Sequence, residues 1–455
     1  MFRFVEKYFG LYYLLFFLSF VSIYLLPPIA PFVNIIILLF SYSLIVRRER
    51  FDVVVVLILY SRCLNGFIIP HDKTAFMVIN VLTNVFPLFL YVFVKLCKKK
   101  IRINREFFTG RYRFTLIFFL LLSLSFFINY STSYDLVTKR YLPFLFFLIF
   151  LLFYRNGDFQ VYALIRFLRC TFLASVLLYF FTPYLTLTRT LMESDSVFSV
   201  ASGPNAYSLV YFSFTRNMGV FFDHRILAVF SYIYLLLAVV YKPKYFRLDI
   251  VLSFLGVMTS TSRGGMITYM LILMVYLFQA YRIRFVIFMA VASVLAVLTV
   301  IFVGVFLSPS LLFFLQSFSP TSSYNAINQR EFFSEYAMEA FSHHPLIGNG
   351  VGFLSSHTID RHLMVDGVSV PAVGDAYWYI LLAEMGIIGF LLYLLFLLEV
   401  FYTNKLLSIA LFLGFVLQLL GTDIPDMRFY YFAILVSVYM VNSKFKKRTI
   451  APVYA

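Results

Sequence analysis

Apolar runs of about twenty residues recur from one end of this 455-residue chain to the other. A helix rising roughly 1.5 Å per residue needs about that length to cross roughly 30 Å of hydrocarbon. Inside lipid every backbone N–H and C=O must find its partner within the protein, so a run that enters the membrane has to be helical. The pattern therefore predicts an all-α polytopic membrane protein of about fourteen transmembrane helices. The expected spans lie near 9–26, 30–46, 52–69, 75–95, 114–129, 141–154, 159–181, 226–241, 248–261, 266–280, 285–307, 376–401, 406–421 and 429–442. With 62% hydrophobic and 13% charged residues, the composition has the same meaning. The first run leads into Pro27-Pro28 with no small-residue cleavage site, which reads as a retained helix.

Basic residues orient the spans, because Lys and Arg of short loops stay in the cytoplasm. Arg47-Arg48-Glu49-Arg50, Lys98-Lys99-Lys100 with Arg102 and Arg105, Lys242 with Lys244, Arg282 with Arg284, and Lys444 to Arg448 all fall on one side of the threading. An even number of spans puts both termini there too. Those loops account for most of the net charge of +16, which therefore gives no reason to expect nucleic acid. Most of the 59 Phe and 34 Tyr read as lipid-facing bulk and interfacial belts. Cys63, Cys97 and Cys170 are odd in number, lie in or beside apolar runs and show no metal spacing. Arg166 and Arg169, on one face of the inner half of a span, are expected to snorkel to the cytoplasmic interface.

Three parts follow: a transmembrane bundle over 1–307, a large polar loop over 308–375, and C-terminal transmembrane helices with a cytoplasmic tail over 376–455. A polar loop of that size on an apolar scaffold is where chemistry is expected. Seven arginines land on the outer side against the usual charge rule: Arg189, Arg216, Arg225, Arg263, Arg330, Arg361 and Arg428. They could form loop ion pairs with Glu193, Asp195, Asp223 or Asp426, or bind an anion. Arg216, Arg263 and Arg330 sit at helix mouths, where guanidinium groups can grip phosphate bidentately without a metal. Phosphate at that depth is most naturally a lipid head. After Arg330 an amphipathic run places Phe333, Ala337, Ala340 and Phe341 on one face.

Asp375 stands at the mouth of the span that follows, with Trp378 and Tyr379 at i+3 and i+4 on its face. A carboxylate beside aromatics suits a sugar: one group takes a hydroxyl proton while rings stack on the apolar sugar face. The same position also suits a helix N-cap, and both readings stand at this point. Glu384 lies half a turn out of phase and about 13 Å deeper, so it is expected to bond within the bundle rather than pair with Asp375. His343, His344, His357, Asp360, His362 and Asp366 match no closed metal motif, and His344 before Pro345 reads as shaping the turn into Gly348-Asn349-Gly350. No Walker-type phosphate loop is present.

Five pieces in succession resemble the O-antigen ligase and O-antigen polymerase (Wzy-type) superfamily of bacterial inner-membrane glycosyltransferases. They are Thr261-Ser262-Arg263-Gly264-Gly265; Arg330 with Ala340-Phe341; His344-Pro345-Leu346-Ile347-Gly348-Asn349-Gly350; Asp375-Ala376-Tyr377; and Ala383-Glu384-Met385-Gly386-Ile387-Ile388-Gly389. The first eight spans add only Arg216 with Gly219. The resemblance implies a GT-C-like helical fold with short helices in a periplasmic loop. It also implies undecaprenyl-diphosphate-linked glycans as donor and acceptor, and a chain-length regulator as partner. Where the ligase pattern has a histidine, often followed by asparagine, this chain has Asp375-Ala376. That departure favours a polymerase, with Asp375 as base, Arg216, Arg263 and Arg330 on the diphosphate, and His344, Arg428, Tyr377 and Trp378 in support. No metal or cofactor is expected. Transfer of finished polysaccharide to lipid A-core is the nearest alternative, and a flippase for the same lipids the next.

Overall fold

The computed structural model describes residues 12–20, 30–68, 81–98, 112–129, 134–154, 159–181, 224–260, 262–282, 324–354, 362–365, 368–371, 377–403, 405–419 and 429–450. In chain order the helices are α1 (12–20), α2 (Ala30–Arg48), α3 (Phe51–Ile68), α4 (Phe86–Cys97), α5 (Arg113–Asn129), α6 (Tyr134–Phe153), α7 (Val161–Phe181) and α8 (His224–Tyr241). They continue as α9 (Phe246–Ser260), α10 (Arg263–Tyr281), α11 (Tyr324–His343), α12 (Tyr377–Phe401), α13 (Leu406–Gln418) and α14 (Phe429–Ile450). Helix occupies all or part of thirteen of the fourteen expected spans, and the segment near 285–307 lies outside the described residues.

Burial sorts the helices into layers. Val53 to Tyr60 of α3, Ile226 to Ala238 of α8 and Tyr431 to Ser437 of α14 are buried on every side. A helix apolar all round belongs at the centre. The outer helices keep large apolar side chains outward, among them Phe32 (69% exposed), Leu39 (64%), Phe89 (63%), Leu124 (64%) and Phe127 (72%). Apolar surface spread over that many helices is what lipid contact requires and what a water-soluble monomer avoids. Gly264–Tyr281 and Tyr377–Phe401 are each, by length and composition, able to cross a membrane unaided. The architecture is that of a helical membrane protein.

The interior departs from the sequence expectation in four ways. The aromatic residues fill the core as well as its rim: Phe118, Phe144, Tyr393, Phe396 and Tyr431 form a cluster of edge-on and stacked rings between α5, α6, α12 and α14. Its buried hydroxyls are satisfied internally, Tyr393 and Tyr431 by each other at 2.7 Å. Arg169 does not snorkel: it makes a two-bond ion pair with the fully buried Asp249 (2.6 and 2.8 Å), which also accepts from the Tyr234 hydroxyl. A turn of π-helix, Val81–Val85, precedes α4 within the segment expected as one span. The polar loop holds, besides helix, an antiparallel hairpin that pairs β1 (His362–Val365) with β2 (Val368–Pro371). Cys97 and Cys170 are free thiols.

Contacts define one basic end of the bundle. Lys98 Nζ reaches Val46 O and Glu49 Oε1, both at 3.0 Å, and Lys95 bonds Glu49 at 3.1 Å. Asp52, held by Arg50, accepts from Gln160 N. Tyr162 Oη donates to Tyr241 O, and Lys444 Nζ donates to Val240 O while lying over the Tyr241 ring. The expected cytoplasmic loops at 47–50, 98, 242–244 and 444 are thus gathered at one end, as the charge rule requires. The opposite ends of α5, α8, α10, α12 and α13 carry the region described next.

Candidate functional site

The second long helix, α12, is broken. Gly386 adopts φ 63° and ψ −170°, a conformation open to glycine and costly for other residues. The break strips helical partners from its flanks, and at membrane depth those groups must be satisfied by other protein. The loop that leaves α11 satisfies them. Ile387 N donates to Pro345 O (2.9 Å) and Ile388 N to Leu346 O (3.2 Å). In the other direction Asn349 N donates to Ala383 O (2.9 Å) and Gly350 N to Glu384 O (2.7 Å). The Asn349 side chain adds a fork, Nδ2 donating to Ala340 O at 2.7 Å and to Ala383 O at 2.9 Å.

Two glycines let the backbones approach this closely. A Cβ on Gly348 (φ 71°) would stand 2.4 Å from the Glu384 carbonyl, and one on Gly386 2.4 Å from Leu346 O. The His344-to-Gly350 and Ala383-to-Gly389 motifs are therefore the two halves of one backbone clasp. His344 itself is exposed, and its carbonyl closes the turn by accepting from Gly348 N at 2.9 Å, as its position before Pro345 predicts. Glu384 is buried (3% exposed) with its carbonyl in the clasp. Beyond the turn, Val351 N donates to Ser125 Oγ at 2.7 Å, which ties the loop to α5.

A second junction joins the first turns of α10 and α12 to the end of α13. Gly264 lies against Gln418, Gly265 against Ala228 of α8, and Thr268 Oγ1 donates to Gly414 O at 2.9 Å. A Cβ on Gly265 would fall 2.5 Å from that of Ala228, so Arg263-Gly264-Gly265 owes its glycines to close helix approach. Tyr377 N donates to Leu419 O (3.1 Å) and Trp378 Nε1 to Val416 O (3.2 Å). Both rings point into the bundle, Tyr377 against Tyr393 and Trp378 edge-on to Phe390. The geometry gives Tyr377 and Trp378 a helix-docking role and leaves Tyr379 as the half-buried aromatic of that turn.

The expected arginines and acid relate to this frame as follows. Arg263 begins α10 and Arg330 lies within α11, both with side chains outside the described residues. Arg216, Asp375 and Arg428 lie outside the described residues altogether. In the sequence Asp375 stands two positions before Tyr377, whose N–H donates to Leu419 O. Of the expected face of α11, Ala337 (0% exposed) and Ala340 (5%) are buried, Phe341 is half-buried and the side chain of Phe333 lies outside the described residues; α11 packs against α12. Sequence reasoning missed Ser125 and Gln418. Gln418 had a signal, a lone amide in an otherwise apolar run; Ser125, one serine among several in its span, had none.

Residues 249–394 match the family model Wzy_C, described as O-antigen ligase. The match supports the O-antigen ligase/polymerase superfamily, whose members are glycosyltransferase-like enzymes. It runs from the first turn of α9 to the middle of α12, so it encloses Arg263, Arg330, Asp375 and both halves of the clasp. Arg216, Gln418 and Arg428 fall outside it. No curated protein matches the chain.

Proposed function

We propose that this protein is a polysaccharide polymerase that joins undecaprenyl-diphosphate-linked oligosaccharide repeats on the periplasmic face of a bacterial inner membrane. The chain would cross that membrane about fourteen times, with both termini in the cytoplasm beside the basic end of the bundle. The observation that carries the reading is the acid of Asp375-Ala376, where the ligase pattern has a histidine, two positions before the α12 first turn in the sequence.

In the reaction, the Asp375 carboxylate takes the proton of an acceptor sugar hydroxyl as that oxygen attacks the anomeric carbon of the donor. The new C–O bond forms as the bond to the diphosphate breaks, and the electron pair leaves on undecaprenyl diphosphate. Arg216, Arg263 and Arg330 bind the diphosphate and stabilise the growing charge. His344 and Arg428 act in support. Diphosphate leaves readily, so the step needs neither a second carboxylate nor a metal ion, and no cofactor. A chain-length regulator is a natural partner.

Cell-surface polysaccharide length in Asp375→Ala and Arg263→Ala variants that insert normally tests the assignment. Short or single-repeat products are expected, and wild-type length in both would overturn it. The family description favours a second reading, transfer to lipid A-core. Purified protein given each acceptor separates the two: lengthening of lipid-linked repeats identifies a polymerase, and consumption of lipid A-core a ligase. Product formation without a membrane gradient also argues against a flippase.

A further inference from the structure

Gln418 ends α13 at the meeting point of the α10 and α12 first turns. It is 2% exposed, and neither its Oε1 nor its Nε2 has a hydrogen-bond partner among the described residues. Several backbone groups around it are engaged. Val416 O and Leu419 O accept from α12, Gly414 O accepts from Thr268, and Leu419 N returns to Phe415 O. The side-chain amide is left over. A buried donor and acceptor left unpaired destabilise the resting protein and are normally explained by a ligand or another bound group.

The surroundings indicate what kind of ligand. The Gln418 side chain lies against Gly264, with Cγ 3.1 Å from where a Cβ would stand, immediately after Arg263. That first turn of α10 has no side-chain cap. A diphosphate would satisfy Nε2 and leave Oε1 unmet, because phosphoryl oxygens only accept. Adjacent sugar hydroxyls both donate and accept, and so can meet both atoms of one amide. We infer that Gln418 binds a vicinal hydroxyl pair on the sugar next to the diphosphate of the lipid-linked substrate, and so reads the identity of that sugar. This rests on the polymerase reading, which puts the diphosphate on Arg263 and hence the first sugar one bond further along.

The test compares wild type with Gln418→Met, a swap of similar volume, in purified full-length protein. The probes are undecaprenyl diphosphate without sugar and the lipid-linked repeat that accumulates in cells lacking the protein. Gln418→Met is expected to raise the melting temperature of the ligand-free protein, because it removes an unpaired buried amide. It should weaken binding of the repeat at least tenfold, raise KM more than it lowers kcat, and leave binding of bare undecaprenyl diphosphate unchanged. Equal affinity of both proteins for the repeat overturns the inference. So does a lower melting temperature, which would give the amide an internal partner. Loss of both ligands together would assign the amide to the phosphoryl group and overturn the sugar assignment. If wild-type protein binds neither lipid, the polymerase reading fails first, and the two failures are thereby distinguished.

Discussion

Gly386→Ala is the most demanding test of the clasp. The residue sits at φ 63°, ψ −170°, a region essentially reserved for glycine, so an alanine there costs about 1–3 kcal/mol in backbone strain alone. Its Cβ would also lie 2.4 Å from Leu346 O and 2.6 Å from Ile347 N, which are backbone atoms that cannot rotate away. The loop must lift, and lifting it lengthens the bonds from Ile387 N to Pro345 O and from Ile388 N to Leu346 O. Each such bond contributes about 1 kcal/mol net. Strain and lost bonds together come to about 3–5 kcal/mol, against a helix bundle whose remaining packing is untouched. Local opening, not global unfolding, should absorb the loss. At about 1.4 kcal/mol per tenfold, amide exchange at Asn349, Gly350, Ile387 and Ile388 should accelerate by at least about 100-fold, while the centre of α8 stays protected. Hydrogen exchange read by mass spectrometry in detergent measures this, with Ile347→Ala, whose side chain is 61% exposed, as the neutral control. Polysaccharide length should fall with the loss of protection, since the clasp fixes the helix of Arg330 to the helix that follows Asp375. Wild-type protection of Asn349 and Gly350 in Gly386→Ala would refute the reasoning.

Two further substitutions probe the frame that holds the site. Glu399, at the far end of α12, caps α5 from outside, its carboxylate accepting from Phe114 N (3.0 Å), Thr115 N (2.8 Å) and Thr115 Oγ1 (2.8 Å). Glu399→Ala should cost about 1–2 kcal/mol, as loss of a helix cap does, and lower the melting temperature in detergent by a few degrees, whereas Glu399→Gln should recover part of the loss. Arg169→Ala leaves Asp249 buried without its cation and should cost about 3–5 kcal/mol. The double change Arg169→Met with Asp249→Leu should restore most of that stability in the same melting assay, because it removes the stranded charge.

The helices were legible because lipid imposes one rule on every apolar run, and their positions follow from it to within a few residues. What escaped has a common physical cause. The break in α12 is invisible as periodicity, since apart from Glu384 the run from Ala383 to Gly389 is apolar on both sides of Gly386 and only the φ angle changes. The pairing of Arg169 with Asp249 joins residues eighty positions apart, and a local face analysis of α7 sees only the arginine and the nearest interface. Trp378 reads as a sugar platform from its spacing to Asp375, but its indole N–H is claimed by a carbonyl of α13. Asn349 lies in a motif quoted for its resemblance. That its amide clamps two helices at once depends on Ala340 and Ala383, which carry no polar side chain to announce it. Of the candidate site, the sequence supplies the charged groups and the structure supplies the backbone clasp and the helix junction.

That division bears on how an acid at position 375 would be held if it acts as the proposed base. Catalytic groups need to be held within a fraction of an ångström, and a loop alone cannot do that. Here α12 begins with Tyr377 N bonded to Leu419 O and Trp378 Nε1 to Val416 O, so its first turn is anchored on the end of α13. The same end of α13 touches Gly264, which fixes the start of α10 and with it Arg263. The first turns of α10 and α12 are spaced by packing against a third helix rather than by flexible linkers. Substituting the glycines would therefore impair the reaction without touching either charged group. Gly265→Leu, which forces α10 away from Ala228, should shorten the polysaccharide in protein that still inserts, and Ala228→Gly in the same chain should partly lengthen it again. A Gly265→Leu chain that makes full-length polymer would show that the helix spacing is not what positions the acid and the arginine.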